Sequence, residues 1–179
     1  MSKRYMVENE FEHLGYKCVV VFHCSGHRCG YVGVPKEHSL YKKSYDDYIE
    51  IKKMDVPDKK VSGIFPLLGA VLDEDERFRI EAYFECHGGI TYSDGGDNST
   101  YPIESDLWWF GFDCAHCDDG NDLELAYDRF PDYRDVLKTR MECEKKYPSY
   151  GIIRTQEYVE EECKSLAEQL KQFELKVEE

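Results

Sequence analysis

Cys114-Ala-His-Cys117 sets two thiols three positions apart around an imidazole, with Asp113 before it and Asp118 and Asp119 after it. Thiolates at that spacing in a turn can chelate one zinc ion, but they supply only half of a tetrahedral site. The other half has two sources in this chain. Cys86 and His87 end a β-prone run that breaks at Gly88-Gly89, and His23, Cys24, His27 and Cys29 surround the turn Ser25–Gly30. His87, Asp113, Cys114, His116 and Cys117 are therefore the candidate metal ligands, with Asp119 joining them if the two strands are neighbours. A structural zinc ion is the cofactor such a set would take. The plainer reading of the same residues is that Cys114 packs inward beside Trp109 while Asp113 and His116 hydrogen-bond the turn. A third reading is enzymatic: His87, Asp113 and His116 support metal-assisted hydrolysis, or His116 activates Cys117 or Cys86 as a nucleophile. Gly88-Gly89 and Gly95-Gly96 are too unspecific to stand for a phosphate-cradling loop.

The elements that must position these groups are legible from hydrophobic periodicity. Tyr5–His13 alternates, a break falls at Leu14-Gly15, and Tyr16–His23 is a β-branched run; Tyr31–Val34 follows the next turn. This opening reads as a three-stranded meander. Residues 41–53 read as a short helix through Tyr45, Tyr48 and Ile49, residues 55–76 as a loop or insertion, and Arg77–Phe84 as a strand. Ile90–Tyr92 continues that strand, Ser93–Thr100 is a polar loop with no means of burying itself, and Leu107–Phe112 is a further strand. Helical patterns follow around Leu123, Ala126 and Tyr127, then from Tyr133 to Tyr147 with Val136, Leu137 and Met141 as its apolar positions. From Thr155 to Val177 the spacing of Val159, Cys163, Leu166, Leu170, Phe173 and Val177 predicts a long amphipathic helix, with Thr155 as its N-cap. That stripe either faces the core or self-pairs as a short coil that makes a homodimer. The fold class is α+β: a largely antiparallel sheet packed by C-terminal helices in a single domain, residues 1–150 forming the core and 151–179 the C-terminal helix.

A chain of 179 residues, 41% hydrophobic and 14% aromatic, can bury one substantial core. It has no stretch of the length and apolarity of a membrane span, and Met-Ser-Lys-Arg-Tyr lacks the apolar core of a secretory signal. The expectation is a soluble cytoplasmic protein whose eight cysteines are mostly reduced. Charge narrows the function classes further. With 37 acidic and 23 basic residues the net charge is −14, and it is uneven: residues 1–60 carry +2 and residues 61–150 carry −12. Direct nucleic-acid binding by the acidic portion is disfavoured, because phosphate contacts need a basic surface. A basic partner is the complement, and the plain alternative is that the carboxylates keep the protein soluble.

His87-Gly-Gly-Ile-Thr-Tyr-Ser93 together with Trp108-Trp-Phe-Gly-Phe-Asp-Cys-Ala-His116, preceded by Cys29-Gly-Tyr-Val-Gly-Val-Pro-Lys-Glu-His38, resembles a family of small phage and mobile-element proteins. That family is similar to a type II-A anti-CRISPR protein from gut bacteria. The resemblance spans roughly residues 5–120, leaves out the C-terminal helix, and carries no binding residue over. Cys117 is an addition to the shared pattern rather than part of it. What the resemblance implies is an inhibitor of the RNA-guided type II CRISPR-Cas effector nuclease in the bacterial host cytoplasm. Because that effector holds nucleic acid in basic channels, the expected contacts are Asp73, Glu74, Asp75, Glu76, Asp94, Asp97, Asp118, Asp119 and Asp122. They would block DNA binding or a later cleavage step. Two alternatives stand beside this: a metal-dependent phage hydrolase or nucleotide-modifying enzyme, and an oligomeric accessory phage protein paired through its C-terminal helix.

Overall fold

The computed structural model describes residues 3–50 and 77–177, with side chains as far as residue 174. Strands β1 (Tyr5–His13), β2 (Tyr16–His23) and β3 (Arg28–Val34) form the meander anticipated from the sequence. Leu14 and Gly15 both take positive φ, 51° and 86°, the geometry of a two-residue hairpin turn whose twist matches the strands it joins. Two short strands follow, β4 (Tyr48–Glu50) and β5 (Arg77–Arg79), paired antiparallel, and β5 runs directly into a one-turn helix, α1 (Ile80–Tyr83). Then come β6 (Tyr92–Gly95), β7 (Trp108–Asp113) and β8 (Asp119–Gly120). The C-terminal part contains α2 (Leu123–Arg129), α3 (Arg134–Lys146), β9 (Ile152–Ile153) and α4 (Gln156–Val177). The main sheet is antiparallel throughout in the order β1-β2-β3-β7-β6, while β8 and β9 make a small parallel pair.

Both faces of this sheet are covered, which is why β2 and β3 read as continuous apolar runs rather than clean alternations. Cys18, Val20, Val32, Phe110 and Phe112 face α4, where Val159, Cys163, Leu166, Leu170 and Phe173 are buried against them. The apolar stripe of the long helix thus belongs to the protein's own core. Gly30 makes the close approach feasible, since a Cβ there would collide with the Phe112 ring and the Cys163 sulfur. On the opposite face Val19, Val21, Cys29, Tyr31 and Trp109 are roofed by Tyr92, Tyr101, Ile103 and Leu107. A third cluster joins Phe22 to Leu123, Ala126, Phe130 and Leu137. Thr155 caps α4 as its sequence position suggests, its hydroxyl accepting from Tyr158 N at 3.2 Å, and Asp122 caps α2 by accepting from Leu125 N at 3.0 Å.

One irregularity in β1 shapes the polar interior. The pairing skips from Val7, opposite Val21, to Asn9, opposite Val20, so Glu8 is the extra residue of a β-bulge. Glu8 turns beneath the sheet and meets Arg28 in a two-pronged ion pair, with Arg28 Nε 2.6 Å from Oε2 and Nη2 3.1 Å from Oε1. Arg129 adds a third contact at 2.6 Å.

The structure corrects several local expectations. Residues 48–50 form a strand rather than part of a helix, with Ile49 buried between exposed Tyr48 and Glu50, the period-two pattern of a sheet. Arg77–Phe84 is not one strand: Ile80 N and Glu81 N donate to the carbonyls of Asp47 and Tyr45, and the chain coils there so that Ile80 and Tyr83 point inward together. Ser93–Gly95 belongs to the edge strand β6, because pairing with β7 satisfies its backbone. Val136 is exposed, leaving Leu137 as the buried anchor of α3. The reading of residues 55–76 and the Val177 side chain lie outside the described residues. Among the described residues no helix is long and apolar enough to cross a membrane.

Candidate metal centre

Strand β7 ends in a turn that carries the Cys-His-Cys-Asp-Asp segment, and its pleat sorts those residues. Phe112 and Cys114 belong to the core cluster under α4, so Asp113, between them, is directed to the opposite side of the sheet. There Asp113 accepts from Thr91 Oγ1 at 3.1 Å and from Ala115 N at 3.1 Å, closing the turn. Cys114 is buried, and burial first, then the nearby Asp119 carboxylate, push its thiol up to about 12. Cys117 is exposed. The two thiols therefore do not face one ligand, and the Cys-x-x-Cys spacing does not translate into a chelating pair.

What converges instead is His87, His116 and Asp119, whose ligand-capable atoms all lie within 4.8 Å of one another. The turn from His116 to Asp119 is closed by Asp119 N donating to His116 O and His116 N donating back to Asp119 Oδ2, both at 3.0 Å. That reciprocal bond turns the Asp119 side chain inward, where it is 1% exposed. Its Oδ1 accepts from Arg154 Nε at 2.8 Å, and its Oδ2 accepts from His87 Nε2 at 2.8 Å. Burial alone would push the Asp119 carboxyl up, but the bonds from Arg154, His87 and His116 N outweigh it and hold the group at about 2. Since the carboxylate can only accept, Nε2 of His87 carries a proton, and Nδ1 of the same ring is hydrogen-bonded to Tyr158 OH at 3.0 Å.

Arg154, just before the α4 cap, and Tyr158, in the first turn of α4, stand four residues apart, with the guanidinium 5.0 Å from the Tyr158 ring. Arg154 is fixed in turn from the sheet: its carbonyl accepts from Arg28 Nη1 at 2.9 Å. The Glu8–Arg28 pair and the His–Asp cluster thus form one continuous polar chain through the molecule. Gly88 completes the enclosure. Its φ is +68°, and a Cβ there would overlap the His116 ring, so the Gly-Gly of the motif serves close approach to an imidazole rather than to a phosphate.

Other predicted site residues fall elsewhere. His23 and His27 stack at 5.0 Å and share Ser25 Oγ, at 2.6 and 2.9 Å, while Cys29 is buried on the roofed face. Cys86 packs against the core. Of the proposed docking carboxylates, Asp118 is exposed at 73%, Asp94 is exposed on edge strand β6, and Asp97 is exposed but paired with Lys36. Asp122 is the cap of α2 and half-buried. Asp119 is withdrawn from the surface altogether by Arg154 and His87 and is not a docking group. Asp73, Glu74, Asp75 and Glu76 lie outside the described residues. Arg154 and Tyr158 were missed from the sequence; the signal was available as an arginine just before the helix cap Thr155 and a tyrosine in the first turn of a helix whose other inward positions are apolar.

The fold and this cluster define an α+β protein with a five-stranded antiparallel sheet and a polar centre where β7 meets the long helix. Compared with known protein families, with curated proteins and with solved structures, the chain has no significant match.

Proposed function

We propose that this protein acts by binding, as a stoichiometric inhibitor of the RNA-guided type II CRISPR-Cas effector nuclease in the cytoplasm of a bacterial host. The observation that carries the binding reading is a surface where apolar and acidic groups meet. Tyr147, Tyr150, Ile152 and Ile153 are exposed within one segment, Tyr150 at 98%. Ile152 N donates to Asp118 O at 2.9 Å, which sets this apolar strip directly beside the exposed Asp118 carboxylate. Aromatic and aliphatic anchors with a charged rim are the anatomy of a protein interface, and the acidic rim suits a basic nucleic-acid channel. The net charge of −14 favours the same class of partner. The identity of the partner rests on the motif resemblance of residues 5–120.

The test is a DNA-cleavage titration of purified effector with guide RNA, adding the protein from sub-stoichiometric amounts to excess. Inhibition that saturates near molar equivalence, and that Tyr150→Ala with Ile152→Ser abolishes, supports the reading. Inhibition at catalytic amounts, or none across several effector orthologues, overturns it.

A further inference from the structure

We infer that His87, His116 and Asp119 form a binding site for one divalent transition-metal ion of the zinc class, through His87 Nε2, His116 Nδ1 and Asp119 Oδ2, without any thiolate. The geometry is the first ground. His87 Nε2 lies 2.8 Å and His116 Nδ1 3.4 Å from the same carboxylate oxygen. Ligands held at about 2.0–2.1 Å around a tetrahedral ion stand about 3.4 Å apart, so His87 must draw back from Asp119 and the two imidazole nitrogens, already within 4.8 Å of one another, must close around the ion. The ion takes the position of the proton that His87 now shares with Asp119.

The second ground is a buried polar atom without a hydrogen bond. His116 Nδ1 is inaccessible to solvent and makes no hydrogen bond, although its ring edge is otherwise half-open to water. A nitrogen in that position bears a desolvation cost, which a metal bond removes. The missing side chain at Gly88 makes the room this ring occupies, since a Cβ there would overlap it.

The supporting groups form the third ground. A metal-bound imidazole characteristically donates its other ring N–H to a fixed acceptor, and Tyr158 Oη waits 3.0 Å from His87 Nδ1. With the ion on Nε2, the ring proton sits on Nδ1, and Nδ1–H donates to Tyr158. Arg154 Nε holds the remaining oxygen of Asp119 at 2.8 Å, so the carboxylate binds through Oδ2 alone. Two neutral imidazoles and one carboxylate suit zinc or cobalt better than calcium or magnesium, which prefer all-oxygen sites. His116, 34% exposed, marks the side on which solvent supplies the fourth ligand.

The full chain, stripped with chelator and dialysed, would be titrated with cobalt(II) and zinc(II), following heat and the cobalt absorption spectrum. The expected result is one equivalent bound, with ligand-field bands and no sulfur-to-cobalt charge-transfer band. His116→Gln and Asp119→Asn should each weaken binding at least about 100-fold, and Tyr158→Phe, which removes only the supporting hydroxyl, by about 10-fold. Cys114→Ser and Cys117→Ser should leave binding unchanged. Circular dichroism guards against misfolding: the half-exposed His116→Gln keeps the test decisive if Asp119→Asn fails to fold. Absence of saturable binding, binding indifferent to His116→Gln, or a thiolate band that Cys117→Ser removes would overturn the assignment.

Discussion

Replacing Glu8 by alanine should be among the most damaging changes on the surface-facing strand β1, although alanine is small and the position lies in an edge strand. The Glu8 carboxylate is 2% exposed and receives three charged N–H contacts, two from Arg28 and one from Arg129, at 2.6, 3.1 and 2.6 Å. Glu8→Ala leaves the Arg28 guanidinium, itself 8% exposed, with the Arg154 carbonyl, the face of Phe22 and the more distant Glu157 carboxylate in place of its two-pronged ion pair. Breaking a buried pair from one side costs about 3–5 kcal/mol, because a charge is left in a medium that solvates it poorly. Against a total stability of about 5–15 kcal/mol, that removes a large share of the folded population's margin. Most of that cost comes from the unpaired charge left behind and not from the lost contact itself. Glu8→Leu combined with Arg28→Met should therefore be markedly less destabilising than Glu8→Ala alone. Urea unfolding followed by tryptophan fluorescence and by circular dichroism would read both, with coincident transitions as the two-state check. A cost for Glu8→Ala below about 1 kcal/mol, the value of an exposed pair, would refute the reasoning.

Leu170→Glu puts a carboxylate into the core under β2 and β3, where Leu170 has no exposure, and should cost more than about 4 kcal/mol in urea unfolding; unchanged stability with altered sedimentation would instead make that stripe a self-pairing face. Tyr150→Ala should leave stability within about 0.5 kcal/mol of the parent, since the ring is almost wholly exposed, while reducing inhibition in the cleavage titration. Burial lowers the pKa values of His23, His27 and His38 below the ordinary 6.5. The unfolded chain therefore takes up protons before the folded one does, so stability is full above about pH 7 and is lost as pH falls through 6.5 toward the folded values; denaturation midpoints that rise between about pH 7 and pH 5 would contradict this.

The sheet and the long helix were legible because both rest on periodic signals that burial itself imposes. Val19–Phe22 and Trp108–Phe112 are apolar on both sides of the pleat, and the three-four spacing from Val159 to Phe173 is a single buried stripe. The short elements were not, since β4 and β5 are three residues each and owe their existence to one another rather than to local preference. The candidate site was half legible. His87 and His116 stood out by type beside turns, but Asp119 looked like one more solvated carboxylate of an acidic loop. The local turn points it inward, but what neutralises it there is Arg154, 35 positions away, which no local pattern announces. Cys114 and Cys117 misled for the opposite reason: their spacing is right for chelation, but one follows the pleat into the core while the other stays on the turn.

The bond from Arg28 to the Arg154 carbonyl also orders events during synthesis. The β1–β2–β3 meander is built from contacts close in sequence and can collapse early, as low-contact-order segments do. Its buried guanidinium then waits for a backbone acceptor 126 residues later, and its Glu8 carboxylate waits for Arg129 before that. Asp119 likewise cannot be held in place until Arg154 arrives. A nascent chain halted before residue 154 has the strands and both imidazoles in hand but lacks the strut that aligns them. With Arg154 just before α4 and Tyr158 on its first turn, the polar centre is complete only when the long helix is docked.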